Sequence, residues 1–112
     1  MDKYALIFRH EDGSKTASAE QMQVWMQQTA EWIGGIAAQN KFVEGSGLPF
    51  DTAKVVGHNG VVTNGPFGGT KETLGGFIVI RAESVEEAVA FAQGSPVLQG
   101  EGNTVEVRKI VN

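Results

Sequence analysis

The chain contains no cysteine, so disulfide bonds, thiol nucleophiles and cysteine-ligated metal sites are all excluded. This absence is compatible with a reducing compartment, and we expect the protein to be cytoplasmic. Long apolar runs are also missing. Near the start, the apolar run extends only from Tyr4 to Phe8, which is too short for the core of a signal peptide or for a membrane span of about 20 residues. We therefore expect no membrane partner.

Basic residues are few and scattered. The 112 residues include 9 Lys and Arg against 13 Asp and Glu, for a formal net charge of -4. Because proteins that bind nucleic acid cluster basic residues on one face, the sequence predicts no nucleic-acid partner. The 41% hydrophobic and 20% charged residues are typical of a globular protein. The length suits one modest core, and we predict a single domain over residues 1–112.

A strand followed by a long helix is predicted for the first part of the chain. The apolar run Tyr4 to Phe8 is followed by the polar stretch RHEDGSK and indicates the strand. Ser18 is the predicted N-cap of the helix, and Gln21 completes a capping box. Apolar residues then recur at spacings of three and four, which indicates a buried stripe that includes both tryptophans. The stripe consists of Met22, Trp25, Met26, Thr29, Trp32, Ile33, Ile36 and Ala37.

Short strands separated by turns are predicted for the middle of the chain, in the stretches KFVEGSG and AKVVGHNGVVTNG. The dipeptides Asn59-Gly60 and Asn64-Gly65 favour turns that need positive φ. A longer strand then covers Gly76 to Arg81, with the sequence GFIVIR.

A second helix and a last strand complete the predicted elements. Ser84 and Glu87 form a capping box at the start of the helix, which ends at Gly94. In the last strand Val105 and Val107 alternate with Glu106 and Arg108. The two charged residues therefore share one sheet face, where they either pair with other charges or line a polar cleft.

The order of these elements predicts an α+β fold. Strand, long helix, short strands, strand, short helix and strand match a split β-α-β plan, with an antiparallel sheet and two helices on one face. The runs ALIF and FIVI are apolar at successive positions, so both faces of those strands need burial. The two helices cover only one face of the sheet, and the other face would expose an apolar patch on the order of several hundred Å² to water. We therefore predict a homodimer that packs sheet against sheet.

Residues 63–76, TNGPFGGTKETLGG, are rich in glycine but do not match a phosphate-binding loop. The Walker pattern requires glycine before its lysine and a hydroxyl residue after it, whereas Thr70 precedes Lys71 and Glu72 follows it. The dinucleotide fingerprint is absent as well. Turn formation explains the glycines, but it does not require Phe67, Lys71 and Glu72 together. Phe67 is either an anchor for the loop or a ligand contact, and the two charges are either solvated or functional.

This stretch resembles the YCII-related protein family, in the branch named for its DGPF motif. The resemblance rests on NGPF at residues 64–67 (with Asn in place of the usual Asp), TKE at 70–72, LGGF at 74–77, the residues Ser84, Glu87 and Ala88, and TVEVR at 104–108. It implies a ferredoxin-like fold that pairs into a dimeric α+β barrel. Relatives of this fold include muconolactone isomerases and small monooxygenases, which use the cleft between sheet and helices.

The chain departs from the wider family at its catalytic dyad. That dyad pairs a His on the first helix with an Asp that precedes a proline after the second helix. Here the first helix contains no His, and Ser95 precedes Pro96. The dyad therefore does not carry over to this sequence.

Candidate site residues follow from the motif and from the remaining titratable groups. The catalytic candidates are Lys71, Glu72 and His10, and the ligand-binding candidates are Phe67, Lys71, Glu72, Ser95 and Arg108. His10 is followed by Glu11 and Asp12, so it is either a base with a raised pKa or a solvated loop residue. His58 lies in a turn, and the two histidines lack metal-ligand spacing. We expect no metal and no cofactor.

Two functions remain open. The first is a dimer that binds a small molecule between sheet and helices near Lys71 and Glu72, with isomerase-like or oxygenase-like activity. The second is a non-catalytic dimeric interaction module, which the resemblance links to sigma-factor regulation because some members are encoded beside extracytoplasmic-function sigma factors. A buried polar cavity into which Lys71, Glu72 or Arg108 points favours the first, because burying a charge without a partner is costly.

Overall fold

The computed structural model of the chain describes residues 1–12, 18–67 and 71–111. Within these ranges the strands are β1 (Asp2–Asp12), β2 (Phe42–Gly47), β3 (Lys54–Val56), β4 (Val62–Asn64), β5 (Lys71–Ala82) and β6 (Thr104–Lys109). The helices are α1 (Ala19–Ala38), α2 (Val85–Gln93) and a 3-10 helix (Pro96–Gln99). Strands β3 and β4 form a separate two-stranded hairpin.

The main sheet has the strand order β2-β5-β1-β6, and each neighbouring pair is antiparallel. Its core face packs against both helices, because strand residues and helix residues belong to one buried cluster. The cluster contains Tyr4, Leu6, Ile78, Ile80 and Ala82 from the sheet, and Ile36, Ala88 and Ala92 from the helices. The predicted α+β fold, an antiparallel sheet with two helices on one face in a ferredoxin-like arrangement, is confirmed.

Both predicted helix caps are confirmed. The Ser18 hydroxyl accepts a hydrogen bond from the backbone N–H of Gln21 at 3.1 Å. The Ser84 hydroxyl accepts one from the backbone N–H of Glu87 at 3.2 Å. Each bond satisfies one of the backbone donors that a helix start leaves unpaired, and this fixes where the helix begins.

The first strand is longer than predicted. Its predicted end at Phe8 was wrong, because Arg9 and His10 continue the ladder with Leu74 and Thr73 of β5. Residues Arg9 to Asp12, which resemble a loop in sequence, are thus held in a strand by their partners across the ladder. A register shift between Phe8 and Arg9 leaves Gly75 as the extra residue of β5, which has the form of a β-bulge.

The buried stripe of α1 is shorter than predicted. Every residue from 19 to 27 is exposed, and Ile36 is the buried residue of this helix. Trp32 and Ile33 pack against the core, whereas Trp25 remains 40% exposed. The expectation of Trp25 in the core was therefore wrong, because only the C-terminal half of this 20-residue helix packs on the sheet.

The two predicted glycine turns have different outcomes. Gly60 has a φ of 78°, as the Asn59-Gly60 turn requires. Gly65 does not have positive φ, so that expectation was wrong. The space at position 65 is tight, since an added Cβ would lie 3.2 Å from Ala53 Cβ and 3.2 Å from Val55 Cγ2.

The second sheet face, here called the open face, is not covered by a helix. The cross-strand register places on it Ala5, Ile7 and Arg9 of β1, Leu74, Phe77, Val79 and Arg81 of β5, Glu44 and Ser46 of β2, and Thr104, Glu106 and Arg108 of β6. Ala5, Ile7, Phe77 and Val79 form its apolar middle, whereas charged residues lie on the edge strands and at the ends of the two central strands. The molecule is accordingly flat, with extents of 42 × 39 × 20 Å.

Candidate functional site

The candidate site lies where β1 ends and β6 begins. An open depression of about 260 Å³ is lined there by Arg9, His10, Glu11, Gly102 and Thr104. Residues 9–11 reach it because β1 continues past Phe8, and Thr104 pairs directly with Arg9. The lining therefore combines a guanidinium, an imidazole, a carboxylate and a hydroxyl group, which are groups suited to a small polar ligand.

His10 lies against two hydrophobic surfaces. Its ring is close to Gly75, where an added Cβ would lie 2.3 Å from His10 Cδ2 and 2.4 Å from Nε2. Its edge faces the Phe50 ring, with 6.2 Å between ring centroids. The backbone N–H of Leu48 donates to the Gly75 carbonyl at 3.0 Å, which ties the segment that carries Phe50 to the bulge. The imidazole is half-buried as a result.

Burial lowers the pKa of His10 below its ordinary value of 6.5, because a charged imidazolium loses solvation in this position. The alternative of a raised pKa, expected from the neighbouring carboxylates, was wrong. His10 is therefore predominantly neutral at pH 7, and its imidazole can accept a proton or a hydrogen bond.

The two arginines beside the depression share one carboxylate. Arg9 Nη1 donates to Glu106 Oε1, and Arg108 Nη1 donates to Glu106 Oε2 at 3.2 Å. These bonds hold the pKa of Glu106 below its usual range, with the hydrogen bond from Arg9 as the larger cause and that from Arg108 next. The cluster combines two cations with one anion, and its guanidinium groups are well suited to a further carboxylate.

Glu11 forms the opposite side of the depression. Its backbone N–H donates to Asn103 Oδ1 at 3.0 Å. Its carboxylate lies over Gly102, where an added Cβ would be 2.3 Å from Oε2. Gly102 has a φ of 83°, so both the backbone conformation and the space at this position favour glycine.

The sequence-predicted residues lie in different parts of the molecule. His10 lines the depression, and Arg108 lies nearby on the open face with its side chain 68% exposed. Lys71 begins β5 opposite Asp12, and the side chains of Lys71 and Glu72 lie outside the described residues. Whether either charge points into a cavity therefore stays a prediction.

Two further ligand-binding candidates lie away from the depression. Phe67 is 83% exposed and does not line it. Ser95 is only 5% exposed, and its hydroxyl accepts from the Val97 backbone N–H at 3.4 Å, as the N-cap of the 3-10 helix. This bond gives Ser95 a structural role, and its ligand role stays a prediction.

Sequence reasoning missed Arg9, Glu11 and Thr104, which line the depression together with His10. Arg9 and Glu11 were assigned to a loop, because the first strand was predicted to end at Phe8. Their alternation with Phe8 and His10 along an extended strand is the signal that could have identified them. Glu106 pairs with Arg9 of the neighbouring strand, as one of the two alternatives from the sequence has it, whereas Arg108 pairs with Glu106 of its own strand.

Metal-ligand groups and membrane-spanning helices are both absent from the described part of the chain. Residues 1–12, 18–67 and 71–111 contain no group of three or more His, Asp or Glu arranged to hold a metal ion. In the same ranges, neither helix has the length and apolar character needed to cross a membrane.

Comparison with protein-family models identifies the family of this chain. No curated protein matches the sequence. The family model described as the YCII-related domain matches residues 3–112, which is nearly the whole chain and agrees with the resemblance carried by the NGPF, TKE and LGGF motifs. The chain belongs to the YCII-related domain family.

Proposed function

We propose that this chain is a single domain that forms a homodimer through the open face and binds a small polar molecule at the depression beside His10. The observation that carries the ligand proposal is the position of His10. A half-buried imidazole with a lowered pKa lies in one depression with Arg9, Glu11 and Thr104. Perturbed titratable groups that converge in a depression are typical of binding and active sites.

The flat shape of the molecule supports the dimer. Its radius of gyration is 15.1 Å, whereas a compact domain of this length has about 13 Å. The two central strands span about 38 Å and the two edge strands about 20 Å, so at about 4.8 Å per strand the open face offers about 550 Å². Stable interfaces bury about 800 Å² on each partner, and a second copy packed on this face supplies about two thirds of that area.

The lining residues indicate what the ligand would need. A carboxylate on the ligand would pair with the guanidinium of Arg9, which shares Glu106 with Arg108. The neutral imidazole of His10 would accept a proton from a ligand carbon or hydroxyl group. Proton removal next to a carbonyl group is the first step of many isomerisations, so an isomerase-like reaction on a small carboxylic acid is the activity that we propose for this site.

A second function, a non-catalytic interaction module, is favoured by the apolar surface of the β3–β4 hairpin and the segment that follows it. The valines Val56, Val61 and Val62 are each at least 60% exposed, and Phe67 is 83% exposed. Exposed apolar side chains that lie close together mark surfaces for protein partners. In this alternative the dimer presents the hairpin to another protein, and the depression binds no ligand.

A ligand screen with matched histidine variants separates the two functions. Thermal-shift measurements across small aromatic and carboxylic metabolites are expected to identify compounds that stabilise the wild type. His10→Gln should abolish that stabilisation, whereas His58→Gln, at an exposed turn position, should retain it. Each variant is first checked by its NMR amide spectrum for native folding. Stabilisation by a compound that persists in folded His10→Gln would contradict the proposed site. Binding of a protein partner by the wild type that is lost in Phe67→Ser would support the second function.

A further inference from the structure

A row of four residues crosses the open face with opposite charges at its two ends. Ala5 is paired with Arg108 on one side and with Val79 on the other, and Val79 is paired with Glu44. The row therefore reads Glu44, Val79, Ala5, Arg108 from the β2 edge to the β6 edge. Small or apolar side chains occupy its middle, and an acid and a base occupy its ends.

The two terminal charges cannot pair with each other within one chain. They lie on the first and fourth strands of the sheet, which places their backbones about 14 Å apart at a strand spacing of about 4.8 Å. Both side chains are exposed, with that of Arg108 at 68%. Arg108 contacts Glu106, but that carboxylate also accepts from Arg9, so the cluster retains an excess of positive charge at the β6 edge.

A second copy can satisfy both ends of the row at once. When two identical sheets pack face to face around a two-fold axis parallel to their strands, the β6 edge of each copy lies over the β2 edge of the other. Residues of one row then face the same row of the partner in reversed order. Arg108 would lie over the partner's Glu44, Glu44 over the partner's Arg108, and Ala5 over the partner's Val79.

We propose that the open face is a self-complementary dimer surface in which Arg108 of each copy pairs with Glu44 of the other. This inference rests on the homodimer proposed above and adds the orientation of the two copies. Electrostatic complementarity of this kind fixes the register of an interface more than its affinity, whereas the apolar middle of the face supplies most of the association energy.

The neighbouring rows differ in how well they fit this orientation. The next row consists of Ser46, Phe77, Ile7 and Glu106, so Glu106 would face the uncharged Ser46 of the partner. Lys3 and Arg81, which are paired with each other at the far end, would approach like charges. They lie two residues along β1 and β5 from the row of Ala5 and Val79 and oppose association, so the Arg108–Glu44 pairs must outweigh this repulsion to fix the register.

Charge reversal tests the pairing. Glu44→Arg alone and Arg108→Glu alone each place like charges opposite one another twice, and we expect the dimer dissociation constant of each to rise on the order of 100-fold. An equimolar mixture of these two variants should form a heterodimer, because each remaining contact then joins opposite charges. Native mass spectrometry resolves the heterodimer by mass, and light scattering after size exclusion gives the dissociation constants.

Lys109→Glu is the matched control. Lys109 is the next residue of β6 and pairs with Tyr4, on the core face, and its ion-pair partner is Asp2 of the same chain at 3.2 Å. Its reversal should leave the dissociation constant unchanged. Circular dichroism of each variant confirms the fold before the dimer is measured.

The outcomes distinguish the orientation from the dimer itself. If the wild type is a dimer and the single variants dimerise equally well, the Arg108–Glu44 pairing is overturned and the dimer proposal stands. The same holds if the folded variants form no heterodimer when they are mixed. A wild type that is monomeric at micromolar concentration would overturn both. Recovery of the dimer in the mixture supports the pairing, because only contacts between two chains can explain it.

Discussion

The imidazole of His10 occupies the space beside Gly75 that a side chain would need, so that a methyl group at position 75 would come within 2.3 Å of His10 Cδ2. The contact exists because the register shift between Phe8 and Arg9 makes Gly75 the extra residue of β5. A bulge in one strand has thereby made room for a ring from its neighbour. The candidate site depends on this contact, since it holds the imidazole in its half-buried position.

Gly75→Ala is expected to displace the His10 ring. Overpacking of this kind costs about 1–3 kcal/mol, so the free energy of unfolding should fall by that amount. The displaced imidazole gains solvent, and its pKa should rise toward 6.5. Denaturant unfolding and an NMR titration of the His10 ring measure the two effects.

Gly34→Ala is the control for this substitution. An added Cβ at Gly34 has nothing within 4 Å, and Gly34 lies within α1. Alanine there should stabilise the protein by up to about 1 kcal/mol through helix propensity, with no change in the pKa of His10. Equal stability losses in the two variants would contradict the His10–Gly75 contact as the cause.

The pH dependence of stability should carry a contribution from His10. Its pKa is lower in the folded chain than in the unfolded chain, so the unfolded chain binds the proton more tightly. The stabilisation is fully present above about pH 6.5 and is lost as the pH falls from there through the lower folded-state pKa. Unfolding titrations between pH 7 and pH 5 should give a smaller slope for His10→Gln than for the wild type. His58→Gln should keep the wild-type slope, and equal slopes for all three proteins would refute the assignment.

The Lys41–Glu87 ion pair should make stability sensitive to acid. Lys41 Nζ lies 2.9 Å from both carboxylate oxygens of Glu87, and its hydrogen bond is the largest cause of the lowered pKa of Glu87. Because the pKa of Glu87 is lower in the folded chain than its ordinary value of 4.5, the ion pair stabilises the folded state at pH values above 4.5. This contribution disappears as the pH falls through the folded-state pKa. Glu87→Gln should therefore lower the melting temperature at pH 7 but not at pH 2.

The matched control for this pair is Glu86→Gln, one residue earlier on α2 and exposed. It should leave the melting temperature nearly unchanged at both pH values. A difference between Glu87→Gln and the wild type that stays constant from pH 7 to pH 2 would show that the ion pair is not its cause.

Trp32 and Trp25 should differ in their contribution to stability. Trp32 Nε1 donates to the Phe91 carbonyl at 3.0 Å, and its ring meets the Phe8 ring edge to face. Trp32→Phe loses this hydrogen bond, and since the Phe91 carbonyl also accepts from Gly94, we expect a cost of about 1 kcal/mol. Trp25→Phe, at a position 40% exposed, should change stability by less than about 0.5 kcal/mol. Chemical denaturation compares the two variants, and a larger loss for Trp25→Phe would contradict the observed packing.

Much of the fold follows from local signals in the sequence. Ser18 and Ser84 mark where the helices begin, because a hydroxyl three residues before an unpaired N–H satisfies it without help from distant residues. The apolar runs ALIF and FIVI identify the two central strands through their two-sided need for burial. The alternation of Val105 and Val107 with Glu106 and Arg108 likewise determines which side chains face the core.

Only the tertiary structure decided where β1 ends, which half of α1 packs on the sheet, and which residues surround His10. Arg9 and His10 belong to a strand because they pair with Leu74 and Thr73, residues more than 60 positions away in the sequence. The charge cluster of Arg9, Glu106 and Arg108 depends on the same long-range pairing. The sequence thus determined the elements and their inward faces, whereas the pairing of distant strands decided the site, because the register shift between Phe8 and Arg9 depends on contacts across the sheet.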